Sequence, residues 1–351
     1  MAEALAGRPI VVETVDYHTG GEPFRIVTGG VRPLEGTTVL ERRRFPREVL
    51  DRVRRLLIDE PRGHADMYGC FVTEPDDAGA DLGVVFFHNE GYSTACGHGT
   101  IALVTWALES GRLPITGPET SVTVDVPSGR LVCVARVDAD GSHVEAVRFR
   151  NVPAFVLARD VPIETRRGDV RCDVSYGGAF YASVDARGLG LDVSPASLPA
   201  LIALQRELRP ALDATLDVVH PDEPELRGIY GVIYWQHEPT SDADRAAGVA
   251  LTQRNVTVFA DGEVDRSPCG SGTSARLALL AADGLLGPDG RGVLRNGSIV
   301  DSAFLGRVAA DAEVGGRTAV VTEVEGSAYL TGRHEFLLDP RDPLGTGFLL
   351  R

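Results

Sequence analysis

A short motif that occurs twice places the strongest constraint on how this chain can fold. The pattern Cys-Gly-x-Gly-Thr stands at residues 96–100 and again at residues 269–273, 173 positions later. Each copy follows a strand-like apolar run and precedes an apolar pattern with helical spacing. Flanking residues match at the same offset, as Phe86 does with Phe259. A repeat of this kind predicts two similar structural units built around two equivalent helices.

The position of each cysteine, at the start of a predicted helix, indicates a site for a small anion. The first backbone N–H groups of a helix lack intrahelical partners, and the helix dipole is positive there. Such an end binds carboxylates, and the glycines of the motif let a ligand approach the backbone closely. A cysteine there is expected to have a lowered pKa, which favours the reactive thiolate. Two facing copies would hold Cys96 and Cys269 on opposite sides of one small anion.

Length and charge narrow the class of protein. The 351 residues are enough for about two domains. A net charge of −15 argues against nucleic acid or an anionic membrane as a partner. No apolar run reaches the roughly 20 residues needed to cross a bilayer, and residues 1–10 lack the features of a secretory signal. We therefore predict a cytoplasmic protein with a small-molecule substrate and with no nucleic-acid or membrane partner.

The distribution of cysteine and lysine excludes several enzyme classes. The five cysteines are odd in number and widely spaced, which is not the pattern of a disulfide framework. No pair has Cys-x-x-Cys spacing and the eight histidines form no zinc-binding pattern, so no metal is predicted. The chain contains no lysine, which excludes a pyridoxal-phosphate enzyme and a P-loop. No G-x-G-x-x-G opens a helix after a strand, so a Rossmann site is not expected either.

The order of predicted elements indicates an α+β fold. Short strands cluster in runs, which argues against a doubly wound parallel sheet. Helical spacing marks Pro46–Leu57 and Leu198–Leu212 in addition to the two helices that follow the cysteines. The stretch Asp16–Pro23 has the polar, glycine-bearing composition of a turn that lines a site.

The repeat also predicts how the chain divides into domains. We expect a first half over residues 1–155, completed by the C-terminal segment at about 338–351, and a second half over residues 156–337. Each half would be a curved, mostly antiparallel sheet around its own helix. The site would lie in the cleft between the halves, where both helix N-termini point inward.

Two facing thiols suit inversion at a carbon next to a carboxylate. A thiolate removes the proton from one face and a thiol delivers a proton to the other, so each cysteine is the base in one direction and the acid in the reverse. The backbone N–H groups after each cysteine, at Gly97–His98 and Gly270–Ser271, would stabilise the charge that develops on the carboxylate. This chemistry needs no cofactor.

Two side chains beside the cysteines are candidates for substrate binding. Asp265, four residues before Cys269, is placed to pair with a substrate ammonium, although an aspartate in a turn also serves as a cap or turn former. His98 lies between two glycines next to Cys96 and is a candidate hydrogen-bond partner. Arg266 is expected to anchor the loop rather than to contact substrate.

The same residues carry a resemblance to a known family. Cys96–Gly99 and Asp265–Gly272 resemble the two signature motifs of the proline racemase family, and Asp16–Pro23 is similar to its stretch near the start. The resemblance covers nearly the whole chain. It implies two pseudo-symmetric domains of the diaminopimelate-epimerase-like fold, no cofactor and often a homodimer. The catalytic pair it implies is Cys96 and Cys269, with substrate contacts from Gly97, His98, Asp265, Gly270 and Ser271.

One branch of that family resembles the chain most, yet it conflicts with the second cysteine. His88–Thr94 and Tyr176–Tyr181 look most like trans-3-hydroxy-L-proline dehydratases, which usually carry threonine where this chain has Cys269. Eliminating water needs one base at C2 and a route for the hydroxyl, whereas inversion also needs an acid on the opposite face. The second thiol therefore favours a racemase or epimerase of proline or hydroxyproline. The alternative is the dehydratase, with Cys96 as the base.

Two other classes of protein are also compatible with the sequence. A non-catalytic protein that binds small amino acids would use the same cleft and helix termini, but binding needs neither thiol. Replacing either cysteine with serine would leave such a binder nearly unaffected. A thiol–disulfide oxidoreductase is the weaker rival, because oxidation of two close thiols is expected to inactivate the site.

Overall fold

The structure is a computed structural model that describes residues 10–44, 47–287 and 289–350. Residues 1–9, on which the prediction of no secretory signal rests, lie outside these ranges, as does Pro46, the first residue of the helix predicted over Pro46–Leu57. In the described ranges the chain forms eighteen strands, six α-helices and a short 3-10 turn at Arg187–Leu189. No helix among them is long and apolar enough to span a membrane.

The strands of the first half of the chain are β1 (Ile10–Thr19), β2 (Glu22–Gly29), β3 (Tyr68–Thr73), β4 (Leu82–His88), β5 (Gly91–Tyr92), β6 (Glu119–Val126), β7 (Gly129–Val137), β8 (Val144–Arg150) and β9 (Ala154–Thr165). Those that follow are β10 (Gly168–Tyr176), β11 (Phe180–Asp185), β12 (Ile229–Glu238), β13 (Val249–Phe259), β14 (Glu263–Asp265), β15 (Val293–Gly297), β16 (Ala303–Val314), β17 (Arg317–Gly326) and β18 (Ala328–Leu338). The helices are α1 (Val39–Arg43), α2 (Arg47–Ile58), α3 (Gly97–Glu109), α4 (Leu198–Thr215), α5 (Asp242–Ala246) and α6 (Gly270–Ala282).

The two halves of the chain repeat one pattern of strand pairing. In the first, β2 pairs parallel with β3, β3 antiparallel with β4, and β4 antiparallel with β5 and parallel with β6. In the second, β11 pairs parallel with β12, β12 antiparallel with β13, and β13 antiparallel with β14 and parallel with β15. An antiparallel run follows in each, β6–β7–β8 and β15–β16–β17. The predicted α+β class, with two pseudo-symmetric units of mostly antiparallel sheet, is confirmed.

Each unit wraps its sheet around the helix that follows the cysteine motif. Every residue of α3 from Gly97 to Leu108 is buried, and so is every residue of α6 from Gly270 to Leu280. Helices that are apolar on all sides need a partner on all sides. Strands β1, β2, β8 and β18 surround α3, whereas β9, β10, β16 and β17 surround α6. The central helices therefore hold fixed positions in the two cores.

The last strand of the described chain returns to the first. β18 pairs antiparallel with β1 over its whole length, from Leu338 opposite Ile10 to Ala328 opposite Thr19. We propose that the chain divides near residue 155, as the repeat predicts, and that its C-terminal part completes the first half. The pairing supports this completion but begins it at Ala328, upstream of the predicted segment 338–351.

The stretch Asp16–Pro23 is mostly strand, not the polar turn that its composition suggests. β1 continues to Thr19 and β2 starts at Glu22, which leaves only Gly20–Gly21, at φ +59° and +91°, to make the turn. Asp16, Thr19 and Glu22 are nevertheless buried, and each has a hydrogen-bond partner inside the protein. Asp16 accepts a hydrogen bond of 2.7 Å from Nη2 of Arg25. Polarity alone did not reveal these internal ion pairs.

Candidate active site

The fold brings the two sequence motifs together at the N-termini of α3 and α6. Cys96 caps α3 with extended backbone geometry (φ −152°), and its Sγ accepts a hydrogen bond of 3.2 Å from the Gly99 N–H. Cys269 caps α6 at φ +61°, in the left-handed region that non-glycine residues rarely adopt. Both cysteines are almost completely buried. A strained backbone at a cap is costly, by about 1–3 kcal/mol, and such strain is concentrated at functional sites.

The two helices meet end to end through their first glycines. A Cβ atom placed on Gly97 would lie 2.4 Å from Cα of Gly270, and one on Gly270 would lie 2.5 Å from Cα of Gly97. Either atom would also lie 3.0 Å from the ring of Phe149. No side chain fits in this contact, so glycine is required at both positions. The N–H groups of both helices consequently converge on one small volume.

Asp265 and His98 lie beside this volume, as the sequence predicts. Asp265 Oδ2 is 3.8 Å from His98 Nδ1, and Asp265 Oδ1 accepts a 2.8 Å hydrogen bond from the Ser267 N–H. The imidazole of His98 is also close to Cys96, with Nε2 3.5 Å from Sγ. Thr19 of β1 holds this residue by donating its hydroxyl to the His98 carbonyl at 2.9 Å. An acidic and an imidazole group thus flank the thiol on α3.

Ser271 lies on the α6 side and contacts a residue that the sequence did not identify. Its hydroxyl is 2.7 Å from the Tyr181 hydroxyl, which itself lies 3.8 Å from Cys269 Sγ. Tyr181 belongs to the stretch Tyr176–Tyr181 that drew notice only as a family likeness. Its proximity to Cys269 follows from the parallel pairing of β11 with β12, which no local pattern reveals.

The loop that carries Asp265 is anchored by a buried carboxyl group from the other motif. Glu22 is completely buried and accepts a 2.7 Å hydrogen bond from the Arg266 N–H. Arg266 also donates from Nη1 to the Asp66 carbonyl at 2.9 Å, which agrees with the anchoring function expected of it. Burial raises the pKa of the Glu22 carboxyl well above its usual range, and the nearby Asp265 carboxylate adds to the effect. Glu22 is the part of this support that sequence reasoning missed.

Burial governs the ionisation of the two thiols. It raises the pKa of Cys96 well above its usual range, and the Gly99 N–H opposes the shift only in part. Burial likewise raises the pKa of Cys269 to about 12, with the Asp265 carboxylate as the second cause. The lowered pKa expected at a helix terminus is therefore wrong for this buried arrangement, because loss of hydration outweighs the hydrogen bonds from the helix N–H groups.

This ionisation state predicts how the thiols react with iodoacetamide. Only the thiolate is nucleophilic, and its fraction grows about tenfold per pH unit below the pKa. A raised pKa therefore means slow alkylation of Cys96 and Cys269 that keeps accelerating from about pH 6 to pH 9. Mass spectrometry of each cysteine peptide measures the rates, with glutathione as the reference thiol. A plateau near neutral pH would show that the helix termini dominate after all.

A surface cleft lies near the candidate site, although neither Cys96 nor Cys269 is among its lining residues. It has a volume of about 160 Å³ and is lined by Ser93, Thr94, Arg209 and Tyr230 among others. Two of these, Ser93 and Tyr230, are hydrogen-bond partners of Tyr68, whose ring contacts His98 at a centroid distance of 5.1 Å. Among the described residues, no group of three or more His, Cys, Asp or Glu side chains is arranged to hold a metal ion.

Known proteins resemble this chain over almost its whole length. The family model described as proline racemase matches residues 14–349. A trans-3-hydroxy-L-proline dehydratase of Burkholderia cenocepacia is 49% identical over 341 residues, 97% of this chain and 98% of that protein. A 3-hydroxyproline 2-epimerase of Burkholderia multivorans is 48% identical over the same length and with the same coverage.

A solved structure has the same architecture over almost the whole chain. It is a hydroxyproline epimerase from Agrobacterium vitis with bound trans-4-hydroxy-L-proline, with a TM-score of 0.87 and 32% identity. The alignment covers 97% of this chain and 96% of that one. Relatives of this chain therefore include both isomerases and lyases.

Proposed function

Because this chain belongs to the proline racemase family, we propose that it is a cofactor-independent epimerase that inverts C2 of proline or hydroxyproline. One observation carries the proposal. Two equivalent helices meet at their N-termini, and each is capped by a buried cysteine. A binding protein needs neither thiol, and a lyase needs only the one that acts as base.

The converging N–H groups would hold the carboxylate of the substrate. Carboxylates bind at helix N-termini because unpaired N–H groups and the positive end of the dipole coincide there. Close contact between Gly97 and Gly270 brings two such ends to a single anion. C2 of the substrate, bonded to the carboxylate, would then lie between the two sulfur atoms. The ammonium would pair with Asp265, which is buried and whose only ion-pair partner among the described residues is His98, at 3.8 Å.

Substrate binding would also prepare the base. The Asp265 carboxylate raises the pKa of both thiols. An ammonium bound to Asp265 would offset this negative charge and lower both pKa values. One thiol would then ionise in the presence of substrate, and its proton would pass to solvent. Because a thiol would ionise only while substrate is bound, both thiols would be protected from other reactions in its absence.

The proton balance of the reaction is symmetrical. The thiolate on one face takes the proton from C2, and the electron pair of that C–H bond passes into the carboxylate, which the N–H groups stabilise. The thiol on the opposite face then gives its proton to C2. The product has the inverted configuration, and the two cysteines have exchanged their protonation states. No redox change occurs.

Several effects together would lower the activation free energy of the reaction. A partly buried helix terminus contributes up to about 2 kcal/mol, so two of them supply up to about 4 kcal/mol. Each 1.4 kcal/mol is about tenfold in rate, and general acid–base catalysis adds about 10²–10⁴-fold. Exclusion of water from a site whose cysteines are almost fully buried must supply much of the remainder.

The dehydratase is the second candidate, and the names of relatives favour it. Several proteins 45–49% identical to this chain are called trans-3-hydroxy-L-proline dehydratases. Such a reaction would use Cys96 to remove the C2 proton while the C3 hydroxyl leaves. It would not require a proton from Cys269. The identity of 48% to a 3-hydroxyproline 2-epimerase is equally high, so sequence identity does not decide between the two.

Proton NMR in D2O separates these functions. The reduced protein is mixed with L-proline, trans-4-hydroxy-L-proline or trans-3-hydroxy-L-proline in separate tubes. We expect deuterium to enter C2 together with appearance of the inverted isomer from at least one substrate. A cyclic imine formed only from the 3-hydroxy compound would make the protein a dehydratase. No exchange in any tube would leave only the binding protein.

A further inference from the structure

Three hydroxyl groups form a chain of hydrogen bonds along one wall of the candidate site. The Tyr68 hydroxyl contacts the Ser93 hydroxyl, and it lies 3.0 Å from the Tyr230 hydroxyl. Ser93 in turn donates to the Ala95 carbonyl at 3.3 Å. Tyr68 and Ser93 are buried, and Tyr230 is partly buried where the surface cleft begins. The proposed inversion uses none of these groups.

This wall runs from one thiol to the other. The Tyr68 ring contacts His98, which lies against Cys96. At the other end, the Tyr230 ring contacts Tyr181 at a centroid distance of 5.7 Å, and Tyr181 lies beside Cys269. With the carboxylate held at the helix termini, the ring carbons of a bound proline would face this wall.

The direction of these hydrogen bonds follows from the Ala95 carbonyl, which is the last acceptor in the series. A carbonyl can only accept, so the single proton of Ser93 points to Ala95. Ser93 must then accept from Tyr68, and Tyr68, with its only proton committed, must accept from Tyr230. Burial raises the pKa of both phenols well above their usual range, so they keep their protons. The wall therefore presents oxygen lone pairs, and no free proton, to its neighbour.

We propose that Tyr68, oriented by Ser93 and Tyr230, accepts a hydrogen bond from a hydroxyl on C3 of the substrate ring and so selects 3-hydroxyproline. This inference rests on the proposed binding of prolines between Cys96 and Cys269. The assignment to C3 rests on the Ala95 carbonyl, to which Ser93 donates, because Ala95 directly precedes Cys96 and C3 is bonded to the carbon between the thiols. Selection by a buried hydrogen-bonding group is strong, because a substrate without the hydroxyl leaves that group unpaired.

The same polarity bears on the choice between inversion and dehydration. A departing hydroxyl must receive a proton to leave as water. A wall that accepts a hydrogen bond holds the hydroxyl on the ring and supplies no proton to it. A proton for the departing hydroxyl would have to come from one of the two thiols, so the wall itself gives no assistance to dehydration.

Replacing Tyr68 with phenylalanine tests the inference, because it removes one oxygen and leaves the ring in place. We compare kcat/KM for trans-3-hydroxy-L-proline with the inhibition constant of L-proline as a competitor. The preference for the hydroxylated ligand is expected to fall at least about tenfold. Tyr230→Phe should change it in the same direction, which keeps the test informative if Tyr68→Phe folds poorly. Tyr234→Phe is the matched control, since the buried Tyr234 hydroxyl has no hydrogen-bond partner among the residues that the structure describes and lies in the core of the second half.

Each outcome has a distinct meaning. An unchanged preference in both variants would overturn the inference while leaving the epimerase intact. An equal loss for trans-4-hydroxy-L-proline would overturn the assignment to C3. If the wild-type protein exchanges no proton, the proposed function fails, and titration calorimetry of the same ligands still shows whether Tyr68 recognises the hydroxyl.

Discussion

Cys96→Ser is expected to lower turnover of every substrate by about 10²–10⁴-fold, the range that a positioned general acid or base contributes. A serine hydroxyl is far less acidic than a thiol, so it forms no useful amount of the anion that must remove the C2 proton. Both candidate reactions, inversion and dehydration, use this base. Deuterium incorporation at C2 in D2O measures the loss directly, and circular dichroism of the variant establishes that it folds.

Cys269→Ser distinguishes the two reactions from one another. Inversion should fall by a similar factor, whereas formation of a cyclic imine should be nearly unaffected because elimination takes no proton from Cys269. Cys172→Ala is a suitable control, since Cys172 is a buried thiol in the core of the second half. Retention of inversion in either active-site variant would show that the proposed assignment of acid and base is wrong.

The second large effect is expected from Gly97→Ala. The new methyl group would lie 2.4 Å from Cα of Gly270, a backbone atom that cannot rotate away, so the two helix ends must separate. Overpacking of this kind costs about 1–3 kcal/mol in the free energy of unfolding. A displacement of about 1 Å between reacting groups costs about 100-fold in rate. Urea denaturation and the exchange assay measure the two losses.

Gly117→Ala provides the control for this substitution. A Cβ there would come no closer than 4.0 Å to any neighbour, and its φ lies outside the left-handed region. We expect both its stability and its activity to stay near those of the wild-type protein. If Gly97→Ala behaved in the same way, the end-to-end contact of α3 and α6 would not be what positions the thiols.

The duplicated motif explains why much of this site was predictable. A cysteine followed by glycine at a strand-to-helix junction is expected at a helix N-terminus. The repeat showed that the chain has two such cysteines. The neighbours Asp265, His98 and Ser271 lie within four residues of a cysteine along the chain, so local sequence was enough to propose them.

Tyr68, Tyr181 and Glu22 were not identified because they reach the site through long-range contacts. Glu22 meets Arg266 across 244 residues, and Tyr181 meets Ser271 across 90. Alternation within a strand shows that one face is buried but not what it is buried against. The raised thiol pKa values escaped prediction for a related reason, since the depth of burial at a helix terminus depends on what the rest of the chain places over it.

The pairing of β1 with β18 has a consequence for synthesis of the protein. One neighbour of β1, strand β2, follows it directly, but the other, β18, is made only after more than 300 further residues. Until then one edge of the first sheet is an unpaired template for other chains, the kind of edge that promotes aggregation. Long-range pairing also slows folding, because a large loop must close first. The half that carries Cys96 is therefore synthesised before the other half but completes its folding last. The nascent chain is the state in which this protein most needs protection by chaperones.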